Sequence, residues 1–128
     1  MSEKRSDLYA PAREASDDKT PISELKERVE AFVQERHWQQ FHSPKNLSMA
    51  LSVEAGELME IFTWMTEDES RRLPREKLHA AAEELADVLI LCFNLASVLG
   101  VDAASAVWDK LEKAKLKYPA DQYRGRYE

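Results

Sequence analysis

Apolar residues recur with a period near 3.6 in four stretches of the chain, and this period predicts four α-helices. The first runs from about Ser23 to about Glu35, with Thr20 and Pro21 as start signals and Leu25, Val29, Phe32 and Val33 among its apolar positions. The second begins at Ser43-Pro44, a side chain suited to capping followed by a proline that fits the first turn, and carries Leu47, Leu51, Leu58, Ile61 and Met65 on one side. Residues Thr66 to Arg72 are charged and aperiodic, so a loop is expected there. The third helix runs from about Pro74 to Leu99, where Gly100 supplies the stop. The fourth spans about Asp102 to Lys117, closed by Tyr118-Pro119. Short connections make sequential helices antiparallel neighbours, so the fold class is all-α and the architecture a four-helix bundle.

The chain has 128 residues, enough for one domain. Three glycines and five prolines are too few for a barrel or sandwich of many short strands. Residues 1–20 lack the apolar stretch of a secretory signal and are expected to form a flexible N-terminal tail. Residues 21–119 then make the domain and residues 120–128 a basic C-terminal tail. The apolar run from Leu85 to Leu99, interrupted by Asp87 and Asn94, falls short of the roughly 20 residues a membrane span needs. The lone Cys92 has no partner for a disulfide, which fits a core residue of a reducing, cytoplasmic compartment.

Net charge is -6, so coating of a nucleic-acid polymer is not expected. From Lys110 to Arg126 there are six bases against two acids, which leaves +4 there and -10 elsewhere. That segment is either an anion-facing surface or a solvated helix face with snorkelling lysines.

Two pairs of carboxylates occupy positions where a core belongs. Glu54 interrupts the apolar stripe of the second helix, with Glu57 three residues on. On the third helix the positions 80, 84, 87, 91 and 95 read Ala, Glu, Asp, Leu, Leu, so Glu84 and Asp87 repeat the i, i+3 spacing. Four like charges inside a bundle need cations or protons to compensate them. An all-oxygen ligand set favours Mg²⁺, with Mn²⁺ as a substitute, over zinc. Salt bridges to Lys or Arg, or plain exposure of both pairs, are the alternatives. A di-iron centre needs two Glu-x-x-His elements, and only Glu76 to His79 has that spacing.

Glu54-x-x-Glu57 followed by Glu84-x-x-Asp87 resembles the metal-binding signature of the MazG-like all-α nucleoside triphosphate pyrophosphohydrolases. The stretch Glu35-Arg36-His37-Trp38, with Gln40-Phe41-His42, Pro44-Lys45-Asn46-Leu47 and Trp64, is similar to the dCTP pyrophosphatase branch of that family. The resemblance covers about residues 22 to 119. It implies a helical bundle that assembles as a homodimer or a dimer of dimers. It also implies Mg²⁺-dependent cleavage of a nucleoside triphosphate, such as the pyrimidine dNTP dCTP, to monophosphate and pyrophosphate for nucleotide-pool sanitation. Glu54, Glu57, Glu84 and Asp87 would be the catalytic metal ligands, Trp38 and Trp64 would hold the base, and His42 would lie near the nucleotide. Leu91 stands where the branch has tyrosine and Ala114 where it has asparagine, which leaves base and sugar preference open.

Each of these residues has a plainer reading: Trp38 and Trp64 as core, and His42 as a cap before Pro44. Trp108 is assigned to packing. Lys110 is the strongest candidate for a phosphate contact, ahead of Arg124 and Arg126. Without a Ser-His-Asp or Cys-His arrangement the expected nucleophile is a metal-activated water, with Glu57, Glu60 or Glu83 to orient it. The rival functions are a phosphoribosyl-ATP or dUTP-type pyrophosphohydrolase, and a non-catalytic helical interaction module.

Overall fold

The computed structural model describes residues 15–126; the greater part of the expected N-terminal tail, and residues 127–128 of the C-terminal one, lie outside them. Helix α1 is Ile22–Glu35, and Pro21 at its head is extended, as a proline at a helix start allows. Its far end is a Schellman turn: Trp38 N–H donates to Val33 O at 3.0 Å and His37 N–H to Gln34 O at 3.0 Å. His37 takes the left-handed position at φ 52°, which glycine usually fills. A 3₁₀ turn, Gln39–Phe41, follows directly and is too short for any periodic signal in the sequence.

Helix α2, Pro44–Phe62, begins as the sequence predicts. Ser43 Oγ accepts the N–H of Asn46 at 3.1 Å, and Asn46 Nδ2 donates back to Phe41 O at 2.9 Å. These two bonds fasten the turn bearing Trp38 and His42 to the head of α2. The expected loop at Thr66–Arg72 is instead a helical turn, α3 (Glu67–Ser70). Thr66 and Glu69 close a capping box: the Thr66 hydroxyl accepts Glu69 N–H at 3.1 Å, and Glu69 Oε1 accepts Thr66 N–H at 3.4 Å. The T-x-x-E signature was in the sequence; it lacked the apolar run that normally follows.

Helix α4, Arg75–Leu99, stops at Gly100, whose φ of 70° sets up a second Schellman turn through Val101 N–H to Ala96 O at 2.8 Å. Asp102 then caps α5, Ala103–Lys117, by accepting from Ser105 N–H at 3.0 Å and Ser105 Oγ–H at 2.6 Å. Lys26 on α1 donates to Val101 O at 3.1 Å and ties α1 to this corner. A last turn, α6 (Ala120–Tyr123), folds Tyr123 edge-on against Tyr118 with ring centroids 5.2 Å apart. It opens the segment expected to be a tail. There is no strand among the described residues, so the all-α reading holds.

The packing is centred on α4. Helix α2 lies along it most extensively and α1 beside it. Leu47 is the anchor of this core at 2% exposure, with Val33 and Ala81 also buried. Helix α5 turns off at 99° to α4 and leaves Trp108 (70%) and Leu116 (83%) exposed. Trp108, expected to pack, is therefore left largely open among the described residues. No single described helix is long and apolar enough to cross a membrane.

Candidate metal and nucleotide site

The two acidic pairs meet across the α2–α4 interface. Glu54, Glu84 and Asp87 each offer a carboxylate oxygen, and these atoms all lie within 4.8 Å of one another. Glu54 and Glu84 are half-buried, Asp87 exposed. The Oε2 atoms of Glu54 and Glu84 are buried without a hydrogen-bond partner. Two such oxygens facing a third carboxylate need a cation or a proton. Partial withdrawal from water, then the neighbouring Glu57, push the Glu54 carboxyl up from 4.5 to about 7. Glu84 is also raised, again by withdrawal from water first and by Glu57 next. No salt bridge to Lys or Arg is formed by these carboxylates among the described residues, so the salt-bridge alternative has no support; Glu57 and Asp87 are exposed, Glu54 and Glu84 are not. The hard, all-oxygen donor set with orphaned lone pairs fits a divalent cation.

Glu57, the fourth expected ligand, is exposed on the next turn of α2 and lies outside the 4.8 Å set, though near enough to act on Glu54 and Glu84. Glu60 and Glu83 are exposed.

Beside the carboxylates lies a cavity of about 490 Å³ between α1, the 3₁₀ turn and α4. Its wall includes Val29, Phe32, Trp38, His42, Leu91 and Asn94. Phe32 meets Trp38 edge-on at 5.8 Å between centroids, and the Arg36 guanidinium lies 3.8 Å over the other ring, Phe32. His42 Nδ1 and Asn94 Nδ2 are 2.9 Å apart. This contact also fixes helix direction: moving from Glu54 back to His42 matches moving from Glu84 forward to Asn94, so α2 and α4 are antiparallel. Along α4 the step from Asp87 to Leu91 is about 6 Å, and to Asn94 about 10 Å. Carboxylates and cavity thus occupy successive turns of one helix face.

Trp38 and His42 therefore share the cavity wall, whereas Trp64 does not line it. Trp64 is 94% exposed just past the end of α2, and Lys110 is exposed on α5. Asn94 is the residue that sequence reasoning missed. Its signal was a polar residue seven positions after Asp87 in an apolar run, hence on the same helix face.

The MazG-like family pattern matches residues 49–127. Human dCTP pyrophosphatase 1 is 39% identical over 117 residues, which are 89% of this chain and 68% of that protein. The mouse protein of the same name is 42% identical over 96 residues, 73% of this chain and 56% of its own length. The crystal structure of a pyrophosphatase from Archaeoglobus fulgidus superposes with a TM-score of 0.73 at 34% identity, covering 84% of this chain and 98% of that one. With a match over more than half its length and a shared fold at this identity, the chain belongs to the MazG-like family.

Proposed function

We propose that this chain hydrolyses a pyrimidine deoxynucleoside triphosphate such as dCTP to the monophosphate and pyrophosphate. It is a nucleoside triphosphate pyrophosphohydrolase, and the finer reading rests on one observation. A carboxylate cluster with orphaned oxygens and an aromatic-walled cavity lie about two helical turns apart on the same face of α4. That spacing suits a triphosphate at one end and a base at the other.

Glu54, Glu84 and Asp87, with Glu57 alongside, would hold Mg²⁺, or Mn²⁺ in its place. The ion supplies Lewis acidity toward phosphate oxygens and a lowered pKa for water. The chain's own residues do the rest. Trp38 offers a ring on which the base rests, and the apolar wall at Val29, Phe32 and Leu91 keeps water from the base. Glu57 would orient an attacking water and take its proton; its exposure and its nearness to Glu54 support this role. Trp64 and Lys110 serve the nucleotide from a second copy of the chain, which covers the apolar faces left open here. The wide exposure of Trp64, Trp108 and Leu116 supports that assembly.

Pyrophosphate release from a panel of nucleotides, each with Mg²⁺ and with EDTA, tests this reading. Metal-dependent release with a preference for dCTP is expected. A preference for phosphoribosyl-ATP or dUTP would reassign the substrate, and no release from any of them would remove the activity.

A further inference from the structure

Asn94 is buried at 6% exposure in an otherwise apolar stretch of α4. An amide withdrawn from water needs a partner, and the side-chain partner it has is His42, Nδ2 to Nδ1 at 2.9 Å. Both residues stand in the wall of the cavity beside the carboxylates. The amide nitrogen Nδ2 is a donor only, so the Nδ1 it faces must carry its lone pair. A neutral imidazole then carries its proton on Nε2. With Nδ1 engaged, the ring offers a ligand one polar group, the Nε2–H, which is a donor.

We infer that Asn94 is a positioning residue: it holds His42 in the Nε2–H tautomer and makes it a hydrogen-bond donor to an acceptor on the edge of the bound base. The inference rests on the nucleotide reading of the cavity. Arg28 and the Trp38 indole, also in this wall, only donate, while the Asn94 Oδ1 is the acceptor left over from the His42 contact. Opposite the His42 donor the cavity therefore suits a flat heterocycle that presents a carbonyl oxygen or an unprotonated ring nitrogen. A ligand edge that offers only N–H groups leaves the His42 donor unpaired and is disfavoured. The 3₁₀ turn and the Asn46 bond to Phe41 hold the backbone before His42 and the Ser43 cap holds it after, so Asn94 is left to set the ring orientation and tautomer.

Long-range ¹⁵N–¹H spectra of the histidine rings in the unaltered, metal-loaded chain test the tautomer directly. His42→Gln assigns the signals against those of His37 and His79. Proton on Nε2 and a lone pair on Nδ1 are expected. A proton on Nδ1, with Asn94 Oδ1 as its acceptor, would overturn the inference. Asn94→Leu keeps volume and removes the amide; it should abolish the tautomer preference and raise KM for dCTP about tenfold with kcat within about twofold, because base contacts are made in ground and transition states alike. Combined with His42→Gln it should add little to that variant's own effect, since the two residues act as a pair. An unchanged KM, or fully additive effects, would overturn it. Where Asn94→Leu does not fold, the ring spectrum of the unaltered chain decides. Pyrophosphate release by the unaltered chain tests the activity itself, so failure of that reading is separable from failure of the His42–Asn94 pairing.

Discussion

Glu54 on α2 and Glu84 on α4 each bury an Oε2 atom that has no hydrogen-bond partner, in a cluster completed by Asp87. Neither helix explains this alone. On α2 a single glutamate in an apolar stripe is a local cost, and on α4 it is the same cost again. Antiparallel packing of the two brings the costs together, where a cation can offset both.

Stability should therefore depend on metal and pH together. Glu54 titrates near 7 in the fold against an ordinary 4.5, because of withdrawal from water and then Glu57. An acid whose folded pKa is raised binds its proton more tightly in the native state, so this contribution is complete below about 4.5 and is lost as pH rises through about 7. In EDTA the melting temperature should fall between pH 5 and pH 8. Mg²⁺ at a hundredfold excess over its Kd should restore about 5 °C or more at pH 8. Equal melting curves with and without metal would remove the cation from the cluster.

Catalysis and base binding should separate by mutation. Glu84→Gln keeps the shape of the side chain and removes one charge from the cluster, so kcat should fall about a hundredfold or more. Trp64→Ala should chiefly raise KM, because stacking is gained equally before and during the reaction. Its ring is 94% exposed, so the chain's own core does not lean on it. Steady-state kinetics on both variants check the split. Unaltered turnover in Glu84→Gln would make the carboxylates structural.

The turn that delivers Trp38 carries a local cost. His37 sits at φ 52° as the left-handed residue of the α1 stop, a conformation that disfavours any side chain. His37→Gly should stabilise the chain by about 0.5–1 kcal/mol, and β-branched His37→Val should destabilise it by about 1 kcal/mol. Urea melts with unchanged slope report both.

Much of this was legible in the sequence, for reasons that can be named. Helix ends were readable because Ser43, Gly100 and Asp102 each satisfy a backbone group within a few residues. The carboxylate pairs were readable because i, i+3 spacing puts both members on one face before any packing is known. Glu57 was not separable from Glu54 on that basis, since the difference between half-buried and exposed depends on where α4 lies. The turns at Gln39–Phe41 and Glu67–Ser70 were missed because three or four residues hold no period. The His42–Asn94 contact joins residues 52 positions apart and leaves no local trace. Nor does the period of α5 show what its apolar face meets, and a 99° bend at Gly100–Asp102 carries it away from α4.

That departure bears on assembly. Among the described residues the buried apolar core is small, Leu47, Val33 and Ala81, and Trp64, Trp108 and Leu116 stay largely open. Soluble monomers rarely leave so much large apolar surface uncovered, and a second copy can cover it symmetrically. Light scattering at micromolar concentration should give a mass at least twice the 14.7 kDa of one chain. Leu116→Glu together with Trp108→Glu should shift that mass toward the monomer, since a buried unpaired charge opposes association. If Lys110 and Trp64 reach the nucleotide from the partner, KM should rise in step with dissociation. A double variant that stayed associated would take this face of α5 out of the interface, and a monomer with full activity would confine the site to one chain.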